Sequence, residues 1–226
     1  MSKTLVYYST CAADDTGKPG AFLAQELPLL VAMFDRVLVC GQQGIATVAQ
    51  PIPETLPFTR PAWATLRAWL RAPWCAQFWR EVCHLARDHK LRPISLGKLW
   101  LFTVHGYRMY YNVETMLRDE ESTTLYAFWS SYDAFAAALS KRRHPAVRAI
   151  ARAHAYDIDP ARNPMNPYLM KQFLGETLDM LYPISLDART RLEACAPIPL
   201  DKVQVLFLGS SGEVATTRFP APLYTD

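Results

Sequence analysis

The chain lacks the fingerprints that name most enzymes. It has no Gly-x-Gly-x-x-Gly and no Gly-x-x-x-x-Gly-Lys-Ser/Thr, so both nucleotide-binding signatures are missing. It has no Gly-x-Ser-x-Gly elbow, which leaves serine-hydrolase chemistry unsupported. No Cys-x-x-Cys occurs, and no cysteine has a zinc-like spacing to histidine. His84 and His89 are five residues apart, off a common helix face, so metal binding is not expected. The five cysteines are an odd number and fit free thiols in a reducing compartment. No apolar stretch is long enough to span a bilayer. Ser2-Lys3 followed by a short apolar run does not read as a signal peptide. The formal net charge is only +3, too mild for the basic footprint of a nucleic-acid binder. These absences lead to the expectation of a cytoplasmic protein with no metal, no cofactor and no nucleic-acid partner.

What is there is an ordinary globular composition: 226 residues, 50% hydrophobic and 20% charged. That length suits one large domain or two small ones, and it buries a core without staples. Thr4–Ser9 reads as a strand, Thr10–Gly20 as a polar loop, and Phe22 to Met33 as a helix interrupted or delayed by Pro28. Arg36–Cys40 is a second strand. Gln50–Pro61, with four prolines, reads as an irregular connection. Three helical segments are expected over 62–71, 74–89 and 94–118. Short β runs at Thr123–Trp129, Val147–Ala153, Asp179–Ile184 and Lys202–Leu208 then alternate with helices at Ser131–Arg142, Pro167–Leu174 and Leu186–Cys195. This pattern predicts an α/β fold: a Rossmann-like, mostly parallel sheet with helices on both faces and a helical insertion around 62–118.

The densest chemistry follows the strand at Val147–Ala153. Arg152, His154, Asp157, Asp159 and Arg162 crowd together before Pro164. Ligands of open α/β sheets bind outside the carboxyl ends of the strands, so this cluster is a candidate site. His154 is suited to bonding a phosphate or sugar hydroxyl or to stabilising developing charge; the alternative is a histidine that only fixes the loop. Asp157 bonds hydroxyls or caps the next turn, and Arg152 pairs with an aspartate or a phosphate. In the first loop, Gly17, Lys18 and Gly20 fit a phosphate-approaching turn loosely. Ser185 reads as a helix N-cap or a donor contact, and Ser130 and Ser131 carry the same two readings.

A separate feature lies between Arg60 and Arg92, where seven basic residues face two acidic ones among four tryptophans. Trp63, Arg67, Trp69 and Arg71 suit an anionic membrane interface; the alternative is a core helix pair with a solvated basic face.

Several of these segments together resemble a known family. Tyr126-Ala-Phe-Trp129, Arg142-Arg-His-Pro145 and Arg152-Ala-His-Ala-Tyr-Asp157 look like the amino-terminal half of retaining glycosyltransferases of family 4, bacterial polysaccharide-assembly type. Leu178-Asp-Met-Leu-Tyr-Pro-Ile-Ser185, Phe22-x-x-x-Glu26, Phe34-Asp-Arg-Val-Leu-Val39 and Val205-Leu-Phe-Leu-Gly209 are similar to further strands and helices of that half. The chain departs from the family's paired glycines after the first strand, having Cys11-Ala-Ala-Asp-Asp15 instead. The resemblance implies a GT-B architecture, with 1–209 as the acceptor-binding domain and 210–226 as linker or disordered tail. It also implies a nucleotide-sugar domain outside this sequence, a glycan or lipid-linked acceptor, and a metal-free role for His154 beside the transferred sugar. Such an enzyme works in the cytoplasm or at the inner face of the plasma membrane. The rival readings are a non-catalytic α/β module that binds a partner protein or anionic membrane, and a phosphosugar epimerase of related fold.

Overall fold

A computed structural model describes residues 3–117, 122–159, 161–162, 169–195 and 198–207. Six strands form one sheet: β1 (Thr4–Tyr8), β2 (Arg36–Gly41), β3 (Gly44–Val48), β4 (Thr123–Ala127), β5 (Arg148–Ala153) and β6 (Met180–Pro183). Their spatial order is β3-β2-β1-β4-β5-β6. All neighbours are parallel except β2 and β3, which form an antiparallel hairpin on the edge. The expected α/β, mostly parallel architecture is therefore present.

β3 is an element the sequence reading passed over. It follows β2 after a two-residue turn, and Gly44 takes a positive φ of 134° there. A Cβ at Gly44 would stand 2.2 Å from the Thr59 carbonyl, so both the turn and the close approach require glycine.

The crossovers explain the layers. After β1 the chain turns through α1 (Ala21–Met33) to β2. Later crossovers run in the opposite direction across the sheet, so right-handed connections put their helices on the other face. These helices are α2 (Ala62–Arg71), α3 (Ala76–Arg87), α4 (Pro93–Val113), α5 (Tyr132–Arg143), α6 (Ala155–Ile158), α7 (Lys171–Thr177) and α8 (Leu186–Cys195). Side-chain alternation agrees. Leu5, Tyr7, Val37, Val39, Tyr126 and Phe128 pack with Leu23 and Leu27 of α1. Val6, Tyr8, Leu38, Leu125 and Ala127 pack with Leu99, Met109, Phe135 and Phe173 on the opposite face.

Four boundaries differ from expectation. α1 starts at Ala21 and runs through Pro28 without a later start, although Pro28 has no N–H to donate to the Ala24 carbonyl. The expected 74–89 helix starts later, at Ala76, and is separated from α2 by a 3-10 turn over Ala72–Trp74. Pro73 lacks the N–H that a continuous helix would use there. α6 is a single short turn that periodicity could not reveal. The expected last strand is reduced to one parallel bridge, Leu181 with Val203, although Gln204 and Leu206 still donate to Leu181 and Pro183. The expected tail at 210–226 and residues 167–168 of the expected helix lie outside the described residues.

Candidate functional site

Parallel strands β1 and β2 lie on one side of a reversal in strand order, and β4, β5 and β6 on the other. The crevice at such a reversal opens between the carboxyl ends of the two central strands, here β1 and β4. A cavity of about 580 Å³ occupies this place. Thr10 and Cys11 line it from the loop after β1, and Trp129, Ser131 and Tyr132 from the loop after β4. Tyr156 and Asp157 contribute from the loop after β5, and Lys98, Leu101, Phe102 and His105 from α4. Four aromatic rings, Phe102, Trp129, Tyr132 and Tyr156, stand in the wall beside polar groups that include Thr10, Lys98 and His105.

A buried polar frame sets the rim. Asp133, in the first turn of α5, is fully buried; its two oxygens accept the Thr10 N–H at 3.1 Å and the Thr10 hydroxyl at 2.8 Å. This ties the end of β1 to the start of α5 across the strand reversal. Asp157 is also fully buried; its Oδ2 accepts the backbone N–H of Ser130 and of His154, each at 3.1 Å. Lys171 closes the frame from α7, donating to the Ser130 carbonyl and, at 3.2 Å, to its hydroxyl. Three loops and one helix are thus held in register by three side chains. Burial pushes the Asp133 carboxyl up to about 7; the Thr10 bonds work against this and Asp157 reinforces it.

His154 caps α6 and is only 6% exposed. Its ring stacks against Trp129 at 4.5 Å and Phe128 at 4.7 Å between centroids. Burial, helped by the Arg152 charge, lowers its pKa to about 4, so the imidazole is neutral at physiological pH. A bond to the Phe128 backbone works in the opposite direction, as expected when a ring N–H donates to a carbonyl. Nε2 is buried and has no partner among the described residues. In a neutral ring whose other nitrogen carries the proton, Nε2 is an acceptor. His154 does not line the cavity itself; Trp129 stands against both.

The remaining expected residues are placed as follows. Arg152 pairs with Glu26 of α1, not with an aspartate, and its guanidinium lies over Tyr126 and Phe128 at 5.5 and 5.7 Å. Glu26 precedes it by 126 positions, so no local spacing pointed to this partner. Asp157 has the capping role, its carboxylate committed to two backbone N–H groups. Ser185 is a cap too: its hydroxyl accepts the Ala188 N–H at 3.0 Å.

The first loop is closed upon itself. The Gly17, Lys18 and Gly20 N–H groups donate to the Asp14 carbonyl, the Asp14 carboxylate and the Ala12 carbonyl. The Asp14 carboxylate also takes the Thr16 N–H and hydroxyl. An internal anion therefore already holds the loop's donors, and the phosphate-cradle reading of Gly17, Lys18 and Gly20 gains no support. Trp63 and Arg67 lie elsewhere, on α2. Arg67 stacks over Trp63 and Tyr111 and pairs with Glu114 at 3.0 Å, while Trp69 packs on Trp100. Arg71 ends α2, exposed.

No protein-family model, curated protein or solved structure matches the chain. The site must therefore be read from its chemistry. Desolvation and Asp133 raise the Cys11 thiol, which disfavours the thiolate a nucleophile would need. No group of three or more metal-ligating side chains occurs among the described residues. Asp133, Lys171 and Trp129 were not singled out from the sequence. Asp133 resembles any acid in a first helical turn, and burial alone makes it a rim residue.

Proposed function

We propose that this chain is the acceptor-binding half of a retaining glycosyltransferase, which moves a sugar from a nucleotide-sugar to a glycan or lipid-linked acceptor. The observation that carries this reading is the neutral His154 imidazole, with its unpartnered Nε2, packed behind an aromatic cavity at the strand reversal. Aromatic faces with a few placed polar groups suit the alternating apolar and hydroxylated surface of a sugar ring. The resemblance of Arg152-Ala-His-Ala-Tyr-Asp157 to the family's motif agrees with this assignment.

In this mechanism the buried His154 ring backs Trp129 and fixes the aromatic face that packs on the transferred sugar. The Asp157–Ser130–Lys171 frame keeps the ring in place, and Trp129 and Tyr156 exclude water from the sugar's apolar face. The test is an NMR titration of protein labelled at tryptophan and histidine with UDP-glucose, GDP-mannose and short oligosaccharides. Shifts at the Trp129 indole and the His154 ring are expected with at least one saccharide. Shifts confined to residues away from the strand reversal would overturn the assignment.

A further inference from the structure

Helix α2 wears its side chains inside out. Ala64, Ala68 and Ala72 are fully buried against the neighbouring helices, whereas Leu66 and Leu70 are 63% and 64% exposed. An ordinary surface helix hides its large apolar residues and shows polar ones. The pattern continues past the helix. Trp69 is half exposed, and Trp74, on the 3-10 turn, is 76% exposed with no ring contact among the described residues. Trp79 bonds its indole N–H to the Pro73 carbonyl at 2.7 Å, which satisfies its polar atom and leaves its ring outside. Three alanines at helical spacing let α2 press closely onto its neighbours, so the fold itself does not need these leucines and tryptophans. Exposed apolar patches of this kind mark interaction surfaces.

The charge around the patch says what covers it. From Arg60 to Lys98 the chain has eight basic residues and only Glu81 and Asp88 as acids, while the whole chain carries only +3. Glu81 is buried and so offers no surface charge. Arg80 is paired with Glu176 and Arg67 with Glu114. Arg71, Arg87, Arg92 and Lys98 are exposed and have no carboxylate within ion-pair distance among the described residues. Exposed tryptophans and leucines on the stretch of chain that also carries these unneutralised cations, with Arg71 at the end of α2 itself, match the two layers of an anionic membrane surface, acyl boundary and phosphate. A second copy of the chain would bring the same cations against these.

We propose that the outer face of α2 and the α2–α3 turn docks on anionic phospholipid bilayers, with Leu66, Trp69, Leu70 and Trp74 entering the acyl boundary. Trp63 and Arg67 belong to the packing of α2 on α4 and only border the contact. The surface shares the helical layer that walls the cavity, since exposed Leu101 also lines it. The proposal does not depend on sugar transfer.

The test is sedimentation of the full chain with vesicles of phosphatidylcholine alone and with mixed phosphatidylcholine–phosphatidylglycerol vesicles. Partitioning into the mixed vesicles should be about tenfold stronger or more, and should fall as salt rises. The triple variant Leu66→Gln, Leu70→Gln, Trp74→Gln should lose about tenfold in partitioning while keeping its far-ultraviolet circular dichroism. Brominated lipid in the mixed vesicles should quench wild-type tryptophan fluorescence, a readout that needs no variant. The proposal is overturned by folded wild-type protein that neither sediments nor is quenched, or by a folded triple variant that partitions as wild type does. A concentration-dependent dimer dispersed by the triple substitution would assign the face to a second copy and also overturn it.

Discussion

Burial in this molecule pushes two carboxyls and two imidazoles, those of His154 and His105, toward neutrality, and the signs differ. Glu81 and Asp133 are each raised to about 7, chiefly by burial. Their protonated forms favour folding at low pH, and that contribution is lost as pH rises from the unfolded values near 4 through 7. His154 is lowered to about 4, so its contribution is present above its unfolded value near 6.5 and lost as pH falls toward 4. His105, also lowered by burial, acts with the same sign as His154, and above their unfolded value near 6.5 neither imidazole adds further, so between pH 5.5 and pH 8 the two carboxyls outweigh them. Urea unfolding should therefore show a lower stability at pH 8 than at pH 5.5. Glu81→Gln should stabilise by roughly 1–2 kcal/mol at pH 8 and be near neutral at pH 5.5. Equal effects at both pH values would contradict the burial account. At this scale His154 was legible in the sequence because charge follows a strand there. Asp133 and Lys171 were not, because nothing local distinguishes a buried acid or lysine from a solvated one.

Among the elements, α4 is the post to which the helical layer is fixed. Gly106 lets Phe135 of α5 lie directly on its backbone; a Cβ there would stand 2.3 Å from the Phe135 ring. The Phe135 ring in turn meets Phe102, Tyr107 and Phe173. Gly106→Leu should force α4 and α5 apart and cost about 1–3 kcal/mol in urea unfolding. Gly97→Ala, where nothing lies within 4 Å, should instead stabilise by a few tenths to about 1 kcal/mol. Similar effects at both glycines would contradict the packing. The helices of this layer were legible from apolar periodicity, and α2 appeared over the expected 62–71. Its inverted face was not, because a helix of alanines, leucines and tryptophans has the same period whichever side faces the core. β3 was missed for another reason. Its turn from β2 is Gln42-Gln43, which carries no Asn-Gly or Asp-Gly hairpin signal, and Thr59, which exchanges both backbone bonds with Ile45, lies outside the hairpin.

For the whole molecule, alternation of strand and helix was enough to expect a mostly parallel sheet. The strand order was not legible, since it depends on which way each crossover turns. That order makes the site. It brings Thr10, Trp129 and Asp157, drawn from three separate loops, to one crevice beside a helix that carries Lys98 and His105. The Arg152–Asp157 motif was visible as a cluster, yet its members divide their labour: Arg152 ties β5 to α1, Asp157 ties two loops together, and His154 keeps an unpartnered nitrogen. The central claim is that the crevice walled by Trp129, with the His154 ring fixed behind it, holds a sugar. The most direct measurement compares wild type with His154→Phe in the protein translated from the whole reading frame. It reads nucleoside diphosphate released from UDP- and GDP-sugars in the presence of lipid-linked glycan. Phenylalanine keeps the ring between Phe128 and Trp129 and removes both ring nitrogens, the bond to the Phe128 backbone included. The account predicts an unchanged fold and a loss of turnover of about 10²-fold or more; wild-type turnover in a folded His154→Phe protein would contradict it.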